Sequence, residues 1–155
     1  MKITGKFEVR INPLDSYAQG MDGISLGRMS IDKSFSGDLE ATSKGEMLTA
    51  MTSVKGSAGY VAIEQVSGIL SGRHGSFVLQ HFGTMDKGSD RLTLEVVQDS
   101  GTDELAGLTG AMTIRIEDGQ HWKRLDFLAT SRIIGSGNDQ FLLSSNPVGP
   151  PTALL

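Results

Sequence analysis

The sequence predicts an all-β fold, an eight-stranded antiparallel up-and-down β-barrel, with a β-sandwich as the alternative. Three observations support this prediction: apolar and polar residues alternate with a period of two, glycine-containing turns separate the alternating segments, and no segment has the apolar spacing of a helix. Short sequential hairpins form a meander, and a meander that closes on itself has no exposed edge strand. Eight strands enclose an interior wide enough for side chains or one small ligand.

The first strand is the clearest. In residues 2–11 the even positions are polar, and Ile3, Phe7, Val9 and Ile11 are apolar, as expected for a half-buried strand. The strand should end at Asn12-Pro13, because proline cannot continue the ladder of backbone hydrogen bonds. Residues 12–26 contain further glycines and are predicted to form a long loop.

Alternation resumes over residues 28–42, where Gly37 indicates a bulge or a sharp bend. A bulge there would reverse the register, so that Glu40 points inward and Leu39 outward. Ser43-Lys44-Gly45 is predicted to be a turn, and residues 46–53 the next strand. The remaining strands are predicted at 59–70, 76–85, 91–97, 111–116 and 121–129, the last two joined by a hairpin turn at 117–120.

Length and composition limit the classes of protein that are possible. The 155 residues suit one domain, which we place at residues 1–130, with residues 131–155 forming an irregular C-terminal tail. The absence of cysteine excludes disulfides, thiolate metal sites and a cysteine nucleophile, and three histidines leave little room for a histidine metal site. We therefore expect no metal and no cofactor. The net charge of -4 argues against nucleic-acid binding.

No targeting signal is visible. The basic N-terminal residues are not followed by an apolar run, and no stretch reaches the ~18 apolar residues of a membrane span. We expect a cytoplasmic protein that does not contact membranes.

Glu64 and His81 are the strongest candidates for a catalytic pair, because they lie on two strands that flank a predicted turn at residues 71–74. If that turn has four residues, Glu64 faces His81 directly, with Cβ atoms about 5 Å apart. A carboxylate beside an imidazole is expected to raise the pKa of the histidine and to hold one tautomer, which suits general acid-base catalysis. The alternative is an ion pair on the outside of the barrel.

Four more residues are candidate ligand-binding groups. Lys33 lies among apolar residues and would be buried if they face inward, or would reach the barrel rim with its amine. Glu40 and Glu46, on either side of the predicted turn at 43–45, could act together or remain solvated. Tyr60 would join Glu64 if the even residues of 59–70 face inward. Both faces of that strand are half apolar, so the sequence does not decide which face points inward. An apolar outer face would favour oligomerisation.

Several sequence blocks resemble a bacterial family of domains of unknown function that is grouped with allene-oxide-cyclase-like barrels. The blocks occur in the same order as in that family: Phe35-Ser-Gly-Asp-Leu-Glu-Ala-Thr42, Gly59-Tyr-Val-Ala-Ile-Glu64, Gly72-Arg-His-Gly-Ser-Phe-Val-Leu-Gln-His81, Gly83-Thr84 and Glu104-Leu-Ala-Gly-Leu-Thr-Gly110. The resemblance implies an antiparallel eight-stranded barrel and no established activity. A transfer of cyclase chemistry would rest on the fold alone.

Three functions remain open at this stage. The first is a barrel that binds a hydrophobic or aromatic small molecule in an apolar cavity. The second is a cyclase- or isomerase-type enzyme that uses Glu64 and His81 for proton transfer in the same cavity. The third is a structural module whose outer wall forms a homo-oligomer. The sequence identifies neither the ligand nor a reaction.

Overall fold

The computed structural model describes residues 2–116 and 123–131, and nearly all of them belong to β-strands. The predicted hairpin turn at 117–120, the first two residues of the predicted last strand and nearly all of the predicted tail lie outside the described residues. No helix in the described part of the chain is long and apolar enough to cross a membrane.

The described residues form eight antiparallel strands and one short 3-10 helix at Asp103–Leu105. Each strand pairs with the next, and the first pairs with the last, so the single sheet curls into a barrel-like shape. The all-β antiparallel prediction is confirmed, and the two facing sheets of a sandwich do not occur among these strands. The strands are β1 (Lys2–Leu14), β2 (Ser25–Gly37), β3 (Leu39–Met51), β4 (Ala58–Leu70), β5 (Arg73–Asp86), β6 (Ser89–Val96), β7 (Leu108–Ile116) and β8 (Lys123–Ser131).

The boundary between β2 and β3 differs from the prediction. The chain reverses at Gly37-Asp38, where Gly37 has φ +104°, and not at residues 43–45, which continue β3. Glycine adopts such a positive φ without steric cost. Because Gly37 lies at a chain reversal and not at a bulge, Leu39 is buried and Glu40 is exposed, the opposite of the arrangement expected from a bulge.

The turn between β4 and β5 has two residues, Ser71 and Gly72, and not the four predicted. Their φ angles are +47° and +80°, and two positive values in a two-residue hairpin loop are typical of a type I′ turn. Leu70 therefore pairs with Arg73, and Glu64 pairs with Leu79. This register decides which side chains of β4 and β5 are neighbours.

The interior contains two apolar clusters with a band of polar side chains between them. The larger one, here called the main core, is centred on residues such as Phe7, Val66 and Phe77, which are at most 1 % exposed. The smaller one, here called the Ile31 cluster, has buried Ile31, Met47 and Ala62, and partly buried members pack against it: Val9, Ile11, Met29 and Tyr60. Partly buried side chains pack against both clusters, but only in the Ile31 cluster do they outnumber the buried ones.

Candidate functional site

Four buried polar side chains form one group on the inner face of the sheet. Lys33, Ser43, Glu64 and His81 are 7 %, 3 %, 0 % and 4 % exposed. They lie on β2, β3, β4 and β5, one residue on each strand. Charged residues are almost never buried without partners, so a buried group of this kind needs an account of its contacts. We call it the Glu64 cluster.

The carboxylate of Glu64 accepts every hydrogen bond in the cluster. Its Oε1 atom lies 2.7 Å from Nζ of Lys33 and 2.9 Å from Nε2 of His81. Its Oε2 atom accepts a hydrogen bond of 2.8 Å from Oγ of Ser43. Within the described residues, no buried side-chain nitrogen or oxygen lacks a partner. The polar groups therefore compensate one another in the interior.

Strand register brings the cluster together. Lys33 and Ser43 are direct partners across β2 and β3, and Gly45, two residues after Ser43, pairs with Glu64. Side chains two residues apart point to the same face of a sheet. All four side chains consequently lie on the inner face. Ser43 and His81 reach the Glu64 carboxylate from the adjacent strands β3 and β5, and Lys33 reaches it from β2, across β3.

Gly45 leaves the space that Glu64 occupies. A Cβ atom on Gly45 would lie 2.6 Å from Cβ of Glu64, which is far inside van der Waals contact. Any larger residue at position 45 would therefore displace the β4 backbone or the glutamate side chain. The glycine that the sequence suggested as part of a turn is a packing residue within β3.

Glu64 and His81 meet diagonally and not directly. Glu64 pairs with Leu79 and His81 pairs with Ala62, because the turn is two residues shorter than predicted. The difference of two residues is even, so both side chains still lie on the same face. Diagonal neighbours remain within reach of long side chains, and the two groups are hydrogen-bonded.

The pKa of Glu64 is lowered from its ordinary value to about 2. Burial, the largest single cause, raises this pKa, but the interactions of the carboxylate with His81 and Lys33 taken together outweigh it. Glu64 is thus an ionised carboxylate at neutral pH, and it balances the buried ammonium group of Lys33. The ammonium group also lies 5.0 Å from the centre of the Phe7 ring, at a distance that allows a cation-π interaction.

The pKa of His81 is lowered, contrary to the direction expected from a neighbouring carboxylate. Burial is the largest cause, and the positive charge of Lys33 acts in the same direction. The hydrogen bond to Glu64 raises the pKa but does not outweigh them. The expectation of a raised histidine pKa is therefore wrong, because the site is drier than the sequence indicated and holds a second cation.

Tyr60 lies beside the cluster, toward the Ile31 cluster. Its ring centre is 6.3 Å from that of His81. Burial, followed by the negative charge of Glu64, raises the pKa of Tyr60 to about 12, so the phenol is neutral at physiological pH. Tyr60 therefore contributes an O–H group and an aromatic face to the same part of the interior.

Glu40 and Glu46, proposed from the sequence as ligand-binding carboxylates, are exposed and do not join the cluster. Glu46 instead forms an ion pair of 2.7 Å with Arg28, and both side chains are substantially exposed. The two glutamates are at even positions of β3, whose odd positions face inward, which explains their placement.

Ser43 and Gly45 belong to the site, although the sequence placed both in a turn. The signal that could have identified them is continuous alternation: Leu39, Ala41, Ser43, Gly45 and Met47 occupy consecutive odd positions of one strand. Small residues at two of these positions are what a buried carboxylate on the next strand requires. Reading Ser-Lys-Gly as a turn concealed this pattern.

The cluster does not have the composition of a metal centre. Within residues 2–116 and 123–131, no group of three or more histidine, aspartate or glutamate side chains is placed to hold a metal ion. Lys33 already occupies the position beside the carboxylate that a cation would need. The chemistry that the arrangement offers is hydrogen bonding and proton transfer through an imidazole held by a carboxylate.

Comparisons with known proteins identify the family but not an activity. The model of the family described as "Protein of unknown function (DUF3224)" matches residues 3–127. A solved structure of a protein with unknown function from the same family, from Shewanella oneidensis MR-1, has 62 % sequence identity and a TM-score of 0.78, over 83 % of this chain and 96 % of that one. No curated protein matches the chain. The resemblance to a bacterial family of unknown function is confirmed, and the chain belongs to the DUF3224 family.

Proposed function

We propose that the curled sheet is a closed eight-stranded up-and-down barrel of the allene-oxide-cyclase type, and that its interior binds one hydrophobic or aromatic small molecule. The binding site comprises the Ile31 cluster and the polar groups of Tyr60 and His81. The single observation that supports this most directly is the position of the Glu64 cluster. Its charged groups are buried between the main core and the Ile31 cluster, and more than half of the residues of the Ile31 cluster are only partly buried.

The two ends of the interior differ in a way that favours a ligand at one of them. Toward the main core, the next inward-facing residues on β4 and β5, Val66 and Leu79, are 0 % exposed. Toward the other end, Ala62 on β4 is also buried, and beyond it Met29 and Tyr60 are only partly buried. A few polar groups set among apolar side chains are typical of small-molecule sites.

The test is binding of small aromatic molecules, measured by thermal shift and located by two-dimensional NMR. A ligand present at 100 times its dissociation constant stabilises the folded state by about 2.7 kcal/mol, a readily measured shift. We expect the largest chemical-shift changes at Tyr60, Ala62 and His81. Changes confined to outward-facing residues, or no binder in a broad aromatic library, would contradict the proposal.

A matched pair of variants locates the site. Ala62→Phe adds a ring beside His81, because Ala62 is buried and pairs with His81. Gln65→Phe adds the same ring to the outer face of β4. We expect the first variant to lose binding and the second to retain it, with circular dichroism showing that both are folded. Equal loss of binding in both variants would place the ligand elsewhere.

We propose proton transfer of the cyclase or isomerase type as the second candidate function. The observation that favours it is the hydrogen bond between His81 and Glu64, since a carboxylate that orients an imidazole is a common arrangement in general acid-base sites. The test is exchange of acidic C–H protons of added ketones for deuterium, followed by mass spectrometry. Exchange above the buffer rate that disappears in His81→Phe supports this function, and exchange at the buffer rate rules it out for those substrates.

We propose association into a homo-oligomer as a third candidate function, through a patch on the outer face. Leu48, Val61, Ile63 and Phe82 are each about half exposed. Leu48 pairs with Val61, and Val61 pairs with Phe82, so three apolar side chains form a row across adjacent strands. Light scattering tests this proposal. A dimer or larger species that dissociates in Val61→Lys supports it, and a monomer at high protein concentration contradicts it.

A further inference from the structure

One nitrogen of the His81 ring has no protein partner. Nε2 is hydrogen-bonded to Glu64, but no described residue forms a hydrogen bond with Nδ1. Every fully covered side-chain nitrogen or oxygen in the described part of the chain has a hydrogen-bond partner. Nδ1 has none and is therefore not fully covered by neighbouring atoms, although the His81 side chain as a whole is buried.

The hydrogen bond to Glu64 determines which ring nitrogen carries the proton. An ionised carboxylate has no proton to donate, so at a distance of 2.9 Å the Nε2 atom must be the donor. Lys33 and Ser43 also donate to the same carboxylate, so all of its partners depend on its remaining ionised. In a neutral ring the second nitrogen then has a lone pair and no proton.

The ring is neutral because of its surroundings. His81 is only 4 % exposed, and the ammonium group of Lys33 lies close to the same carboxylate oxygen. Burial and this second positive charge lower the pKa of His81. Nδ1 is consequently a hydrogen-bond acceptor at physiological pH, directed away from Glu64.

We infer that the interior selects neutral apolar molecules that have a hydroxyl or N–H donor, and that this donor binds Nδ1 of His81. This inference rests on the proposed function, because it names the class of ligand for the same site. The preference follows from geometry: an ether or carbonyl oxygen placed there would face a lone pair and leave Nδ1 unpaired. A ligand that leaves a buried polar group without a partner loses more binding free energy than a ligand that forms only a weak hydrogen bond with it.

Glu64 is the positioning residue in this arrangement. It has no accessible oxygen, since its side chain is 0 % exposed and Oε1 and Oε2 both accept hydrogen bonds from protein groups. It therefore acts on the ligand only through the tautomer that it imposes on His81. A role of this kind predicts a spectroscopic signature that a purely structural role does not.

The first experiment measures the tautomer without any ligand. Long-range ¹H–¹⁵N NMR spectra at neutral pH report which nitrogen of each histidine ring carries a proton, and His81→Phe assigns the signal. We expect His81 to be neutral with the proton on Nε2, and the exposed His74 to show the mixture of tautomers of a solvated ring. A proton on Nδ1, or a doubly protonated ring, would overturn the inference.

The second experiment compares two ligands with the same naphthalene ring: 2-naphthol, which has a hydroxyl donor, and 2-methoxynaphthalene, which has a methyl ether in its place and no donor. We expect 2-naphthol to bind the wild-type protein roughly tenfold more tightly or better, the factor expected for one hydrogen bond with an otherwise unpaired partner. In His81→Phe the ratio should fall to about one. Gln80→Ala, an exposed position on β5, should retain the wild-type ratio.

The outcomes separate the two proposals. If both ligands bind wild-type protein equally at the interior site, the donor preference is wrong and small-molecule binding stands. If neither these nor other aromatic molecules bind, the proposed function fails, and the ligand class fails with it. The comparison of the two ligands in wild-type protein decides the question even if His81→Phe does not fold.

Discussion

His81 lies diagonally across the sheet from Glu64, and yet Nε2 of His81 is only 2.9 Å from Oε1 of Glu64. The direct partner of Glu64 on β5 is Leu79, which packs into the main core. The diagonal contact directs the glutamate toward the Ile31 cluster, because His81 pairs with Ala62 of that cluster. It also leaves the other oxygen of the carboxylate for Ser43 on the opposite side. The carboxylate thus links four strands.

We predict that Lys33→Met destabilises the protein strongly. The substitution removes one partner of a buried ion pair and leaves the Glu64 carboxylate in the interior without a counter-charge. The loss of a single partner in such a pair costs about 3–5 kcal/mol. Urea denaturation of the wild-type protein and the variant measures this loss in the free energy of unfolding.

The double variant Lys33→Met with Glu64→Leu supplies the control. The loss of unfolding free energy in the double variant should be smaller than the sum of the losses in the two single variants. The difference should exceed about 1 kcal/mol, because the second substitution removes the uncompensated charge. Glu40→Gln, on the outer face of β3, should change the free energy of unfolding by less than about 0.5 kcal/mol. Additive effects of the two single variants would show that the ion pair is not an energetic unit.

We predict that Gly45→Ala destabilises the protein and moves Glu64. The added methyl group would lie 2.6 Å from Cβ of Glu64, and overpacking of this kind typically costs about 1–3 kcal/mol. Gly59→Ala is the matched control, because the nearest atom to its added methyl group is 3.7 Å away. Urea denaturation and the His81 ring signals measure the two effects. Equal stability of the two variants would contradict the packing role of Gly45.

We predict that the free energy of unfolding falls as the pH decreases from neutral. The pKa of His81 is lowered in the folded state, so protonation near and below its ordinary value of 6.5 favours the unfolded chain. The pKa of Glu64 is lowered from 4.5 to about 2, so its contribution is present above pH 4.5 and is lost between pH 4.5 and about 2. The loss from Glu64 is on the order of a few kcal/mol. Urea denaturation at a series of pH values measures both steps.

Two variants separate this effect from general acid denaturation. Glu64→Gln should flatten the dependence between pH 4.5 and about 2, because the group that titrates there has been removed. Glu40→Gln removes an exposed carboxylate on the outer face of β3 and should leave that dependence close to the wild-type one. A wild-type pH dependence in Glu64→Gln would be incompatible with a depressed pKa at this residue.

We predict opposite effects for two substitutions in the turn between β4 and β5. Gly72→Ala should lower the free energy of unfolding by about 1 kcal/mol, since Gly72 has φ +80° and no atom within 4 Å of the added methyl group. Ser71→Asn should raise it by a few tenths of a kcal/mol, because asparagine tolerates positive φ better than serine. Thermal and urea denaturation measure both. Destabilisation by Ser71→Asn would argue against a type I′ turn.

The sequence predicted where strands occur better than where they end. Residues 2–11 alternate without interruption and lie within β1, and the run at 59–70 corresponds closely to β4. The division between β2 and β3 was wrong because glycine occurs at both Gly37 and Gly45. Only at Gly37 does the chain reverse, and at Gly45 the glycine serves close packing. Local sequence does not distinguish these two uses.

Two properties of the site likewise depended on tertiary structure. The sequence could not decide whether Tyr60 or Val61 faces inward, and it predicted the wrong direction for the pKa of His81. The first depends on how the whole sheet curves, and the second on how completely neighbouring strands exclude water and on the position of Lys33. Neither quantity is a property of one strand.

By itself the sequence determined the antiparallel all-β class and the pairing of side chains on common faces, because a period of two follows from the geometry of an extended backbone. It brought Glu64 and His81 to one face even with the wrong turn length, since an error of two residues preserves the face. Only the tertiary structure decided that this face is the interior, that Lys33 and Ser43 complete the cluster, and that Glu40 and Glu46 are outside. The reason is that burial and inter-strand contact arise when distant segments pair, and the local pattern is compatible with either face.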